Sequence, residues 1–312
     1  MGGFHRLHYV EWGERSNPEV VVCAHGYSGN ARDFDDLARA LAADARVICV
    51  DFAGRGESDW LATPVQYHFG QLLADAEALL AHAGARRVHW IGTSMGGLLG
   101  MLAAARPLSP VKRLVMNDVG AFVPLDALQA IGRNLEAPAR FASLAAVEAH
   151  LRATHREWGE LTASQWRRLA VHGARRESDG WRLHYDPRIL RLLGPLPPGL
   201  GLFFWDAWYR VACPVLLLRG ERSAVFPADV ARTMLAVKPA ARLVQFSGCG
   251  HAPSLMADAQ VDVVRNFVRE GKDKATWREP RSSSFPASSW TPSPSSPRSR
   301  SSGSRPPAPS PT

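Results

Sequence analysis

Six short stretches of the chain are almost continuously apolar, and longer stretches between them place apolar residues every three or four positions. The runs at 19–24, 46–50, 87–91, 111–117, 214–220 and 241–246 are rich in Val, Ile and Leu. That is the mark of parallel strands covered on both faces. Between them Phe34, Leu37, Ala38 and Leu41 fall on one side of a helix, as do Leu72, Leu73, Ala76, Leu79 and Leu80 within a helix over about 65–83. The Leu/Ala-rich segment 98–105 reads as a buried helix, and further helices are expected around 228–236 and up to about 269. Residues 4–13 alternate loosely and predict an edge strand ending at Gly13. Strand and helix in regular succession predict an α/β fold, a mostly parallel doubly wound sheet whose ligands bind beyond the carboxyl ends of the strands.

The rhythm breaks after residue 120. The segment 120–212 contains several short helical patterns and five of the ten tryptophans, Trp158, Trp166, Trp181, Trp205 and Trp208, but no strand as apolar as those before it. It is expected to be an inserted helical cap between a first core part, 1–119, and a second, 213–271. Its aromatic side chains either line a pocket or hold a small helical layer together, and packing is the default role for any one of them. His150, His155, His172 and His184 are expected at the surface or in packing. From 272 to 312 the chain is mostly Ser, Pro and Arg, a composition that buries too little apolar surface to offset ordering entropy, so a disordered tail is expected. Its Arg-Ser dipeptides offer something to an acidic partner, but an inert tail is the reading taken.

Charge follows the same division. The net charge is +8, but residues 271–312 carry seven Lys/Arg against two Asp/Glu, which leaves only +3 for everything before them. So nearly balanced a globular part gives no electrostatic case for nucleic-acid binding. No apolar run approaches the roughly 20 residues of a membrane-spanning helix, and the first six residues lack the apolar core of a secretory signal. A cytoplasmic location and no membrane partner are therefore expected, with the oligomeric state unread. Cys23, Cys49, Cys213 and Cys249 are far apart with no metal-ligand spacing, so buried reduced thiols and no metal site are expected.

The candidate chemistry sits at strand ends. Gly92-Thr93-Ser94-Met95-Gly96 joins the strand at 87–91 to the helix at 98–105, and a serine on so sharp a turn has its hydroxyl lifted out of the sheet edge. Residues two positions either side must lack bulk because the chain doubles back, which Gly92 and Gly96 satisfy. An acyl-transfer serine needs a base, a carboxylate to orient the base, and donors for the oxyanion. His251, on the Gly250-His251-Ala252-Pro253 turn after the last strand, is the candidate base. The backbone N–H groups of Met95 and of Tyr27, which follows His25-Gly26, are the candidate oxyanion donors. Asp51 and Asp59 frame a Gly54-Arg55-Gly56 loop and are expected to brace it through backbone hydrogen bonds, with Arg55 able to pair with either.

His25-Gly26, Asp51-x-x-Gly54-Arg55-Gly56-x-Ser58-Asp59, Gly92-Thr93-Ser94-Met95-Gly96-Gly97 and Gly250-His251-Ala252-Pro253, in this order over about residues 5–270, resemble the α/β-hydrolase superfamily. The likeness is to its capped esterase, enol-lactonase and carbon–carbon bond hydrolase branch, and serine at 94 disfavours the members with an aspartate nucleophile. The usual pattern places the acid in Gly-x-x-Asp-x-x-x-Pro after the strand before last; here that stretch reads Gly220-Glu221-Arg222-Ser223-Ala224-Val225-Phe226-Pro227, with serine at the acid position. Two carboxylates stand near. Asp118 ends the strand expected beside the elbow strand, where some members with a similarly placed cap carry their acid. Glu221 sits two positions early. Asp118 is favoured, against the alternative that it only forms a turn in Asn117-Asp118-Val119-Gly120.

The resemblance implies a serine hydrolase of a small to medium carboxylic ester, lactone or related acyl substrate. Such chemistry requires no metal or organic cofactor, and its only implied partner is the small-molecule acyl substrate. Hydrolysis of a carbon–carbon bond in a ring-cleavage diketone is the rival within enzymes. A weakly catalytic ligand receptor, made credible by Ser223, is the rival outside them.

Overall fold

A computed structural model describes residues 4–135, 140–189 and 201–270; the tail expected at 272–312 lies outside them. Strands β1 (His8–Trp12), β2 (Val20–Ala24), β3 (Arg46–Asp51), β4 (Val88–Thr93), β5 (Val111–Asn117), β10 (Val215–Gly220) and β11 (Arg242–Phe246) form one sheet. Its order is β1-β3-β2-β4-β5-β10-β11, with β1 antiparallel to β3 and all other neighbours parallel.

Both faces of this sheet are covered, which explains why its strands lack polar alternation. Along β2, Val20, Val22 and Ala24 enter one apolar core and Val21 and Cys23 the other. The first core is closed by α2 (Phe69–His82), α3 (Met95–Ala104) and α8 (Ala228–Val237). The second is closed by α1 (Asp35–Leu41) and α9 (Asp258–Arg269). Each such aliphatic side chain contributes on the order of 1.5–3 kcal/mol when fully buried. The predicted strands and helices coincide with the observed ones to within a few residues at their ends.

Between β5 and β10 the chain leaves the sheet. The described part of 120–212 contains α4 (Leu125–Leu135), α5 (Leu144–Thr154), α6 (Ala163–Gly173) and α7 (Trp205–Arg210). It also contains two small antiparallel pairs, β6 (Phe122–Pro124) with β9 (Gly201–Phe203) and β7 (Ala174–Glu177) with β8 (Gly180–Leu183). This segment is anchored on the loop after β3. The Gly56 amide donates to the His184 carbonyl at 2.9 Å, the Asp186 amide to the Gly54 carbonyl at 2.8 Å, and the Tyr67 hydroxyl to the Asp186 carboxylate at 2.6 Å.

Arg55 takes up neither of the pairings open to it. Asp51 does brace the loop, accepting from the Ala31 and Glu57 amides, and Asp59 accepts from the Arg6 amide. Arg55 contacts neither. Its guanidinium is fully buried, donates to the Tyr27 and Ala53 carbonyls at 2.8 and 2.9 Å, and lies over the rings of Tyr27 and Tyr67. Two tyrosine faces and two carbonyls take the place of the carboxylate. Burial lowers its pKa to about 10, which still leaves it charged at neutral pH.

Candidate active site

The turn between β4 and α3 holds Ser94 at φ 53° and ψ −116°, a conformation that costs an L-residue strain. Glycine flanks permit it: a Cβ on Gly92 would overlap the Gly96 backbone, and one on Gly96 would overlap the Ala24 carbonyl. The Met95 amide opens α3 and so has no partner within the helix. The Tyr27 amide likewise makes no hydrogen bond among the described residues. Gly26 brings its backbone to the serine, since a Cβ there would lie 3.7 Å from that of Ser94.

His25 holds this approach in place. Its Nδ1–H donates to the Gly26 carbonyl at 2.6 Å and its Nε2 accepts the Phe52 amide at 3.0 Å, which fixes the neutral tautomer. Burial lowers its pKa to about 4.

His251 Nε2 lies 3.0 Å from Ser94 Oγ, and His251 Nδ1 lies 2.8 Å from Asp118 Oδ2. Asp118 is fully buried at φ 58°, a left-handed position that aspartate tolerates better than most residues. Ser94, His251 and Asp118 are thereby brought into one hydrogen-bonded series. Glu221 is elsewhere, accepting the Gly248 amide at 3.2 Å, and Ser223 Oγ accepts the Phe226 amide at 3.1 Å.

Sequence reading missed the parts that hold this series together. Asn117 is fully buried, and its Nδ2 donates to the Pro253 carbonyl at 2.8 Å and to Thr93 Oγ1 at 3.1 Å. It thus joins the ends of β4 and β5 to the loop that carries His251. Gly220 presses so closely on the Gly250 carbonyl that a Cβ would overlap it. The signal for Asn117 was its place beside Asp118 at a strand end; nothing in the sequence marked its partner as Pro253.

Ser94 and His251 open into a cavity of about 170 Å³, walled on the far side by residues of the inserted segment, among them Leu151, Trp158, Trp166 and Leu183. Trp158 and Trp166 therefore line a pocket. Trp208, fully buried with its indole N–H on the Met234 carbonyl, is a packing residue. His150 and His155, expected at the surface or in packing, line the cavity as well. Among the described residues no three His, Cys, Asp or Glu converge as a metal site, and no helix is long and apolar enough to cross a membrane.

Residues 19–257 match the model of a family described as the alpha/beta hydrolase fold. The chain belongs to that family. A Cupriavidus necator protein named 3-hydroxybutyrate-oligomer hydrolase is 38% identical over 273 residues, which cover 85% of this chain and 93% of the relative. The pimeloyl-[acyl-carrier protein] methyl ester esterase of Vibrio cholerae is 27% identical, covering 80% and 93% of the two chains. A crystal structure of an alpha/beta hydrolase from Novosphingobium aromaticivorans superposes with a TM-score of 0.75 at 34% identity, covering 85% of this chain and 94% of that one. The protein is accordingly a hydrolase of the alpha/beta fold.

Proposed function

We propose that this hydrolase cleaves small to medium carboxylic esters through an acyl-enzyme on Ser94. The observation that carries the proposal is the unbroken series Ser94–His251–Asp118 at 3.0 and 2.8 Å. In this reading Ser94 Oγ attacks the ester carbonyl as His251 Nε2 takes its proton, and Asp118 stabilises the imidazolium. The Met95 and Tyr27 amides receive the oxyanion. Collapse of the tetrahedral intermediate expels the alcohol, protonated by His251. Water, deprotonated by the same nitrogen, then attacks the acyl-enzyme and releases the acid.

The segment 120–212 acts in this proposal as a cap that shields an apolar acyl chain from bulk water. Its contribution of Leu151, Trp158 and Trp166 to the cavity supports that role. The relative's name points to short oligomers of a hydroxy acid as the substrate class. The contact of Asp118 with His251 supplies the acid whose absence at Ser223 had favoured a weak receptor, and it weighs against that rival.

Labelling with a fluorophosphonate, followed by mass spectrometry of the modified peptide, tests the nucleophile. Label is expected on Ser94 and is lost in Ser94→Ala. Rates on p-nitrophenyl esters of increasing acyl length test the cap, with a preference for chains that fill the cavity. Much faster turnover of ring-cleavage diketones than of any ester would favour the carbon–carbon bond reading instead.

A further inference from the structure

The cavity beside Ser94 contains one polar atom whose state the surrounding hydrogen bonds dictate. His155 ends α5, and its Nδ1 lies 3.2 Å from the Leu151 carbonyl and 2.8 Å from Thr154 Oγ1. A carbonyl only accepts, so Nδ1 must carry the hydrogen. Thr154 agrees with this assignment: its hydroxyl has the His150 carbonyl at 2.9 Å and the Leu151 carbonyl at 3.4 Å to donate to, and so can turn a lone pair toward Nδ1. In a neutral ring the hydrogen on Nδ1 makes Nε2 a bare acceptor. Nε2 has no hydrogen-bond partner among the described residues. The ring stands edge-on to Trp158 with centroids 4.2 Å apart, which fixes its orientation in the wall. Burial lowers the His155 pKa to about 4, so the ring stays neutral at neutral pH.

The rest of the lining sharpens the chemistry. Among the described residues no Lys or Arg lines the cavity, and Asp33 does. Among these described residues a substrate carboxylate would meet no Lys or Arg, but would meet a second carboxyl group at Asp33 and, at His155, a lone pair. A neutral group with an O–H to donate would meet an acceptor that no described protein group occupies.

We propose that His155 Nε2 accepts a hydrogen bond from a hydroxyl on the acyl part of the substrate, and so selects neutral hydroxyacyl esters. This rests on the ester hydrolysis proposed above. It also sets the direction of binding. Cleaving a linear hydroxy-acid oligomer yields an acyl half ending in hydroxyl and an alcohol half ending in carboxylate. The cavity takes the first, and the charged end points out of it.

The full chain is tested on matched p-nitrophenyl esters of butanoate, 3-hydroxybutanoate and 3-methoxybutanoate, and on the corresponding hydroxyl- and methoxy-ended 3-hydroxybutanoyl dimers. Each kcat/KM is divided by the ester's rate with hydroxide, which removes intrinsic reactivity. The expected result is a preference for hydroxy over methoxy of about tenfold or more at one length, since a site built to bond a hydroxyl discriminates strongly against an analogue that cannot donate. That ratio should fall to near one in His155→Phe, which keeps an aromatic ring against Trp158, and be partly restored in His155→Gln. Equal rates for each hydroxy and methoxy pair in the unmodified protein overturn the proposal, whether or not the variants fold. A preference that survives in folded His155→Phe overturns the assignment to His155. Failure of the underlying reading is seen separately, as no turnover of even the butanoate ester and no fluorophosphonate label on Ser94, and it takes this inference with it.

Discussion

Asp118 Oδ1 accepts the Gly220 amide hydrogen at 2.7 Å, which ties the carboxylate at the end of β5 to the tip of β10. Its other oxygen is thereby aimed at His251 Nδ1. In Asp118→Asn the amide group can keep much of this geometry, but it no longer favours the tautomer that leaves Nε2 free to take the Ser94 proton. Kcat for ester hydrolysis is expected to fall about 10⁴-fold, with the fold retained by circular dichroism. Ser223→Ala is the matching control. It removes the acceptor for the Phe226 amide, should lower stability by about 1 kcal/mol, and should leave kcat where it was.

Asp118 also marks how far the sequence was legible. Parallel strands buried on both faces announce themselves by unbroken Val, Ile and Leu, so the β2, β3, β4 and β5 order of secondary structure was readable, as was Ser94 on its glycine-flanked turn. The sheet position of Asp118 was readable too, because β5 had to neighbour β4. The contacts of Asn117, Gly220 and Arg55 were not. Most of the partners are distant in the chain, and Arg55 keeps its charge against carbonyls and ring faces, which leave no charge pattern to read. The pocket-facing role of His155 escaped for a related reason: helix α5 is only moderately amphipathic in sequence, and its wall is defined by where it packs, not by period.

Asn117 should act as a positioning residue. Its Nδ2 is the donor that holds the Pro253 carbonyl, two residues beyond His251, against the end of β5. Asn117→Ala removes that bond and the one to Thr93 Oγ1 from a fully buried site, at a cost of about 1–3 kcal/mol in stability by urea unfolding. Freed from its anchor, the His251 loop should sample geometries off the relay. Kcat is expected to drop by roughly 10- to 100-fold with KM little changed, and the rate of fluorophosphonate labelling should drop in step.

Arg55 lies behind the candidate oxyanion donors. Its Nε holds the Tyr27 carbonyl at 2.8 Å and its Nη2 lies 3.8 Å from Met95 Sδ, so it touches both residues whose amides are proposed as oxyanion donors. Arg55→Met leaves two buried carbonyls unpaired and should destabilise the protein by about 2–4 kcal/mol. Arg55→Lys retains the charge but cannot reproduce the planar fork, and should recover only part of that loss. In both variants kcat is expected to suffer more than KM, since a displaced Tyr27 amide matters most when the oxyanion forms.

The pH dependence of stability should have two opposed contributions beside the cavity. His25 and His155 have folded pKa values lowered to about 4 by burial, below the ordinary 6.5. Their contribution is present above pH 6.5 and is lost as pH falls through about 4, because only the unfolded chain takes up the protons readily. Asp33 works the other way. Burial, reinforced by Asp51 and Asp35, raises its pKa from 3.8 to about 7, although the Asn30 amide it accepts pulls the other way. Its stabilising neutral form is fully present below pH 3.8 and is lost as pH rises through 7. Asp33→Asn keeps an acceptor for the Asn30 amide and removes the titration. Urea unfolding should therefore find the variant gaining on the unmodified protein as pH rises, its stability relative to that protein higher by roughly 1–3 kcal/mol at pH 8 than at pH 5. A difference that stays constant between those two pH values would mean that Asp33 is already ionised at pH 5, and that its burial is compensated by a contact other than the Asn30 amide.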